Sequence, residues 1–353
     1  MPDTFITVHF ATNREETGDP KTPFGDKLNR ISPGFLRYGS ADVIPPTTAD
    51  GEFRVQDVHI APDVTPGANA ADDAAAVRGS ELIYAGLRRR LAENDADLLL
   101  FLHGFNCSFG TALARAAQLK QNWSTATKKL EVAAFSWPAD RSLVPVLGYF
   151  SDRDDARSSA KAIARALLRL VDYIRTLPPA ERCNRKLHLA AHSMGNYALR
   201  NAFQALISEL GGKVPRLFDT IFLMAADEDN DAFEIDTKML RLPDLARQVY
   251  VYYSGLDGAL VISDVTKANP DRLGFTGPRT LTNLPQKVTL VDCAAVCSST
   301  LLEVNHQYYR QRPEVLADVQ QVLAGVAPDQ IGNRKYIPDK RAFRIGAAKA
   351  GGG

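Results

Sequence analysis

The chain has 353 residues, 45% of them hydrophobic and 24% charged, with a formal net charge of +1. That is an ordinary soluble globular composition, long enough for one large domain or two small ones. A charge this close to zero excludes a global field that would gather nucleic acid or a membrane surface, and no run of about 18 apolar residues offers a membrane-spanning helix.

Met1-Pro2-Asp3-Thr4-Phe5 lacks a basic segment followed by an apolar one, so no secretory signal is expected and the protein reads as cytoplasmic. Cys107, Cys183, Cys293 and Cys297 form no C-x-x-C pair. They read as free thiols rather than a zinc site, with a Cys293–Cys297 bridge as the alternative.

Ile6 to Phe10 alternates and predicts a strand. Residues 15–52, rich in Gly, Pro, Thr and Asp, read as loop, and Phe53 to Ile60 alternates again. Residues 1–62 are therefore expected to be a strand-and-loop extension packed on a sheet edge. It should be structural and not removable. After a turn-rich connector at 63–70, Ala71 to Ala92 is helix-prone, with Val77, Leu82, Ile83, Leu87 and Leu91 near helical spacing. Asp97 to Leu102 is a continuous apolar run suited to a central parallel strand. A second strand runs Val132 to Trp137 and stops at Pro138. Residues 138–152 read as a loop bordering a pocket, and Arg153 to Leu177 as one long helix.

Further strands are predicted over 187–191, 220–226, 248–253 and 287–292, and a helix over 313–324. From residue 97 onward six strands alternate with helical segments, the pattern of a parallel sheet covered on both faces. Residues 63–326 are expected to be the catalytic domain. The tail, 327–353, carries six basic residues between Arg334 and Lys349 and reads as a solvated, mobile terminus.

The stretch Leu187 to Asn196 organises the rest. An apolar strand runs into Ala191-His192-Ser193-Met194-Gly195 and then a helix-like segment. Strand, sharp turn with serine at its tip, then helix is a nucleophile elbow. The small residues at 191 and 195 let strand and helix cross closely, with Ala191 a mild departure from glycine. The Met194 N–H falls at a helix N-terminus, where it can stabilise an oxyanion.

A serine needs a base. Of His9, His59, His103, His188, His192 and His306, only His306 follows Ser193, as the order Ser, acid, His requires. His188 and His192 read as packing residues. His103 reads as holding the loop His103-Gly104-Phe105-Asn106, whose Phe105 N–H is the expected second oxyanion donor. Two places compete for the acid, Asp257 and the earlier Asp227 or Asp229. Gly255 and Gly258 frame Asp257 and favour it, whereas Asp227 to Asp231 reads as a solvated loop or helix cap. Phe109, Trp137, Tyr149 and Phe150 line either an acyl pocket or the core.

Together Ala11-Thr12-Asn13-Arg14, His103-Gly104-Phe105-Asn106, Phe135-Ser136-Trp137-Pro138, the Ser193 pentapeptide, Tyr252-Tyr253-Ser254 with Asp257-Gly258-Ala259-Leu260, and His306-Gln307-Tyr308-Tyr309 carry a resemblance. The chain resembles an uncharacterised bacterial α/β-hydrolase family with an esterase- or lipase-like domain. The resemblance spans roughly residues 5–325. It implies the α/β-hydrolase fold and a triad of Ser193, Asp257 and His306, but no particular substrate. The expected function is hydrolysis of a small-molecule carboxylic ester, thioester or amide through an acyl-enzyme, with an apolar acyl group and no metal or cofactor. An acyltransferase on the same triad, or a non-catalytic binding module, are the alternatives.

Overall fold

A computed structural model of the chain describes residues 5–29, 35–48, 51–62, 78–139, 145–178, 185–260, 271–298 and 304–346. In chain order the strands are β1 (Ile6–Thr12), β2 (Arg14–Glu16), β3 (Phe24–Leu28), β4 (Arg37–Ile44), β5 (Arg54–Ile60), β6 (Ala96–Leu102) and β7 (Lys129–Ser136), then β8 (Leu187–His192), β9 (Phe218–Met224), β10 (Ala246–Tyr253), β11 (Val288–Asp292), β12 (Arg334–Ile337) and β13 (Ala342–Ile345). The longer helices are α1 (Gly79–Glu93), α2 (Phe109–Trp123), α3 (Pro145–Ser158), α4 (Ala160–Thr176), α5 (Gly195–Glu209) and α6 (Pro313–Leu323).

Eleven of the strands form one sheet in the order β12-β13-β11-β10-β9-β8-β6-β7-β1-β4-β5. Every neighbouring pair from β13 to β1 is parallel. The apolar runs explain the centre: β6 reads Ala-Asp-Leu-Leu-Leu-Phe-Leu and is buried on both faces. One layer packs α1, α4 and α5 on the sheet through Leu87, Ile163, Leu167 and Phe203. The other packs α2 and α6 through Phe109, Leu113, Val315 and Val319. The fold is that of an α/β hydrolase. Among the described residues no helix is long and apolar enough to cross a membrane.

Chain order sets where chemistry can sit. β6 leads to β7 on one side, and β8 then pairs with β6 on the other. The strand order reverses between β6 and β8, and the crevice beyond their carboxyl ends is where such sheets hold ligands.

Three expectations need correction. The loop assigned to 15–52 contains β3 and β4, and β4 is a full member of the main sheet. Its Gly, Ser and Asp residues look like turn residues, but Tyr38, Ala41 and Val43 are buried. Gly39 is there because a Cβ would meet the His59 carbonyl at 2.3 Å and the Phe10 ring at 2.4 Å. With β1 hydrogen-bonded between β7 and β4, the N-terminal strands continue the sheet rather than pack upon its edge.

Second, Arg153 to Leu177 is two helices broken at Ser159, and the first begins at Pro145, where the expected pocket loop should have been. Proline suits a first helical position, and Asn13 Nδ2 donates to Ser159 Oγ at 2.9 Å across the break.

Third, the basic tail is ordered through residue 346. β13 pairs with β11, β12 pairs with β13, and Arg334 makes a buried bidentate pair with Asp318 of α6 at 2.6 and 2.7 Å. Tyr252 adds its hydroxyl to the same carboxylate at 2.6 Å. Basic composition suggested solvent, and a partner 16 residues away supplied the counter-charge. Cys107, Cys293 and Cys297 are free, and Cys183 lies outside the described residues.

Candidate active site

The elbow stands at the carboxyl end of β8. Ser193 takes φ +54°, a left-handed backbone that L-residues adopt only under constraint. The constraint is visible. The Ser193 N–H donates to the Met224 carbonyl at 3.0 Å, and the Ser193 carbonyl accepts from the N–H groups of Asn196 at 3.0 Å and Asp227 at 3.2 Å. Asn196 Nδ2 also binds the Ala191 and Ser193 carbonyls, each at 3.0 Å. Gly195 lets α5 start against β6, since a Cβ there would meet the Leu102 carbonyl at 2.5 Å. Met194 caps α5, so its N–H lies at the positive end of that helix.

The loop after β6 covers the serine. A Cβ on Gly104 would come 2.7 Å from Ser193 Cβ, so only glycine lets this backbone approach. His103 is fully buried. Its Nδ1 donates to the Gly104 carbonyl at 2.9 Å, and its ring stacks on Trp137, centroids 4.9 Å apart. Trp137 Nε1 in turn donates to the His103 carbonyl at 2.9 Å. Burial holds the His103 pKa well below the usual imidazole range, so it is a neutral brace. Arg14 reaches from β2 to the Cys107 carbonyl at 2.6 Å and to Ser136 Oγ at 2.9 Å. This buried arginine ties the N-terminal segment to the loop. Asn106, at φ +51°, donates its N–H to Asp152 Oδ2 at 3.0 Å.

His306 and Asp257 meet on neighbouring loops. His306 Nδ1 lies 3.0 and 2.8 Å from the two Asp257 oxygens, with Asp257 fully buried and His306 partly exposed. A carboxylate can only accept, so Nδ1 carries the proton and Nε2 is left as the lone-pair nitrogen. Asp257 Oδ1 also accepts from Ala259 and Leu260 N–H at 3.2 and 3.3 Å, at the start of a helix beginning at Gly258. Gly255 and Gly258 have ordinary φ and room for a Cβ. The expectation that glycine flexibility curls the acid inward therefore fails, and helix capping fixes the carboxylate instead. The two loops are clipped together: Gly258 N–H donates to the Val304 carbonyl at 3.0 Å, and Asn305 Nδ2 donates to the Leu256 and Ser298 carbonyls.

His192 links this pair to the elbow. Its buried ring stacks on Tyr309 with centroids 4.3 Å apart, and Nε2 donates to the His306 carbonyl at 3.0 Å. Burial depresses its pKa, so it stays neutral. The sequence reading gave His192 a packing role and assigned nothing to Asn305. The available signal was asparagine, which tolerates positive φ. Among the described residues six non-glycines have positive φ, and Asn106, Ser193, Ala225 and Asn305 of these border the site.

Asp227 stands elsewhere. Its carboxylate accepts from the Tyr149 hydroxyl at 3.0 and 2.8 Å and sits 3.4 Å from Arg272 Nε. Asp229 pairs with Arg272 and with Lys238, Asp231 with Lys238, and Glu228 with Arg200 at 2.8 Å. The expected solvated loop is thus a buried ion-pair cluster. Burial pushes the Glu228 pKa up. His188 is buried in β8, 3.4 Å from Asp97. Of the proposed acyl-pocket aromatics, Phe109 packs in the core against Phe10 and Trp137 braces His103. Tyr149 faces the site side, its ring 6.0 Å from Phe105 and 5.9 Å from Phe150. Among the described residues no three His, Cys, Asp or Glu side chains gather as a metal site.

The parallel sheet, the strained serine at its switch point and the adjoining loops define an α/β hydrolase. The chain belongs to the family described as "Alpha/beta hydrolase of unknown function (DUF900)", whose model matches residues 83–325. A comparison with curated proteins gives no match. Among solved structures, a Trichoderma reesei cutinase in complex with a phosphonate inhibitor is similar at 14% identity and TM-score 0.27, covering 69% of this chain and 88% of the cutinase. Pyrococcus horikoshii acylaminoacyl peptidase is similar at 10% identity and TM-score 0.33, covering 91% of this chain and 41% of the peptidase.

Proposed function

We propose that the protein is a serine hydrolase of carboxylic esters, with Ser193 as nucleophile, His306 as base and Asp257 as acid. The observation that carries this reading is the juxtaposition of a serine held at positive φ with an imidazole bound to a buried carboxylate. The backbone of that imidazole is hydrogen-bonded to the residue before the serine. His306 Nε2 takes the Ser193 proton as Oγ attacks the carbonyl carbon. The carbonyl oxygen becomes an oxyanion, stabilised by the N–H groups of Met194 and Phe105. The imidazolium returns its proton to the leaving alcohol as the C–O bond breaks. Water repeats the sequence on the acyl-enzyme, releasing the acid. Asp257 fixes the Nδ1–H tautomer and stabilises the imidazolium without taking its proton. Phe105, Tyr149 and Phe150 offer aromatic surface beside the serine for an apolar acyl group.

The test is fluorophosphonate labelling of the purified chain and of Ser193→Ala, followed by p-nitrophenyl esters of increasing acyl length. Labelling confined to the wild type, with turnover favouring acyl chains beyond acetyl, is expected. Equal labelling of both proteins overturns the nucleophile.

A further inference from the structure

The side of the molecule carrying α2 holds a polar cavity of about 420 Å³. Its walls include Thr111, Arg115 and Gln118 of α2, Arg310 of the four-residue helix Tyr308–Gln311, and Phe53 and Glu52 at the start of β5. Thr111, Arg115 and Gln118 are spaced four and three residues apart, so they share one helix face. Arg310 uses Nε on Gln307 and Nη1 on Gln118 Oε1, both at 2.8 Å. That contact turns the Gln118 oxygen to Arg310 and leaves its amide N–H groups to donate. Among the described residues no hydrogen bond or ion pair engages the Arg115 guanidinium, and Glu52, exposed, is paired with neither arginine.

Among the described residues, two guanidinium groups therefore share a cavity with no carboxylate bound to either, although Glu52 lies at its wall. Proteins place counter-charges beside half-buried cations because desolvation and like-charge repulsion are otherwise uncompensated. Burial pushes the Arg310 pKa down, with Tyr309 opposing and the Arg115 cation adding to the fall, whereas, against burial, Cys107 and Tyr309 raise that of Arg115. The same molecule pairs its other half-buried cations well, as at Arg334, Arg200 and Lys238.

We propose that this cavity is a binding site for a phosphoryl group, with Arg115, Arg310 and the Gln118 amide as donors. Guanidinium N–H pairs match the oxygens of a tetrahedral phosphate in bidentate fashion. A cavity of this volume is larger than a phosphate alone, and Phe53 adds apolar surface, so a small phosphate monoester fits better than the free ion. Ser193, Asp257 and His306 are not among the residues that line the cavity, and its assignment does not depend on the ester chemistry.

Isothermal titration of the full chain with inorganic phosphate and with glycerol 3-phosphate, at ionic strength held constant with chloride, tests this. Saturable one-site binding is expected, tighter for the ester, with Arg115→Gln weakening it by about tenfold or more, as loss of a charge-assisted hydrogen bond implies. Phosphate should also protect Arg115 of the wild type from phenylglyoxal, read by mass spectrometry, which needs no variant to fold. Absence of saturable binding above the chloride control, equal binding by a folded Arg115→Gln, or unprotected Arg115 overturns the proposal.

Discussion

Asp257 and Asp227 both follow strands of the same parallel sheet, and both are buried, yet their surroundings differ in kind. Asp257 receives two backbone N–H groups and one imidazole, and among the described residues no lysine or arginine pairs with it. Asp227 receives a phenol and faces Arg272 in a cluster that also contains Asp229, Lys238 and Asp231. A carboxylate answered by fixed cations has its charge already neutralised and gains little from a new imidazolium. A carboxylate answered by amide dipoles and one neutral histidine keeps most of its field for an imidazolium, as the proposed mechanism requires. The comparison separates a carboxylate that stabilises the fold from one suited to chemistry, at equal burial.

The largest expected effect sharpens the reference point of that comparison. Ser193→Ala and His306→Ala should each lower esterase turnover by roughly a million-fold, and the double variant should be little worse, because members of one unit are not additive. Steady-state kinetics on one p-nitrophenyl ester checks this, and additive losses would show that the two do not act together. On the same substrate Asp257→Asn should keep the fold and lower turnover by about ten-thousand-fold, as when the histidine is held in the wrong tautomer.

Asp227→Asn should do the reverse. Turnover should fall about tenfold or less, whereas stability should drop by about 1–3 kcal/mol, since Arg272 loses one buried carboxylate and keeps Asp229. Thermal melting should register this as a loss of about 3–8 °C. A stable Asp227→Asn with a large catalytic defect would break the comparison and move the acid to the earlier strand.

The histidines extend the contrast between paired and unpaired groups. His9 is held down to about 4 from 6.5 by burial, and burial likewise lowers His103 and His192. In the unfolded chain these imidazoles bind protons near 6.5, so below that pH the unfolded state binds more protons than the folded one. Stability is therefore full above about 6.5 and lost as pH falls toward 4, by up to roughly 3 kcal/mol for His9 alone. Denaturant melts across this window, compared with His9→Gln, should show a shallower acid slope in the variant. A smaller effect than that of any triad change belongs to His192→Phe, which keeps the stack on Tyr309 but removes the donor to the His306 carbonyl. Turnover should fall about 10- to 100-fold with KM little changed, the signature of a base displaced rather than a substrate lost. An unchanged kcat would reduce His192 to packing.

Local pattern was enough for the centre of this protein. The six short apolar runs between residues 97 and 292 suited buried strands, and each is one. A small-x-Ser-x-Gly turn between such a strand and a helix fixed the place of Ser193, and chain order left His306 as the one histidine after it. The strands and the elbow rest on neighbours within a few residues, where spacing carries the physics, and His306 rests on chain order.

What tertiary structure decided depends on partners far away in sequence. β4 is a strand because Gly39 admits the Phe10 ring and β5, and the basic tail is ordered because Asp318 and β11 receive it. Asp227 is buried because Arg272, 45 residues on, neutralises it. Asp257 faces His306 because a helix cap, not its flanking glycines, aims the carboxylate. A polar residue in a sequence does not state whether its counter-charge is water, a cation or a proton donor. That is fixed only when the fold brings the partner within hydrogen-bonding distance.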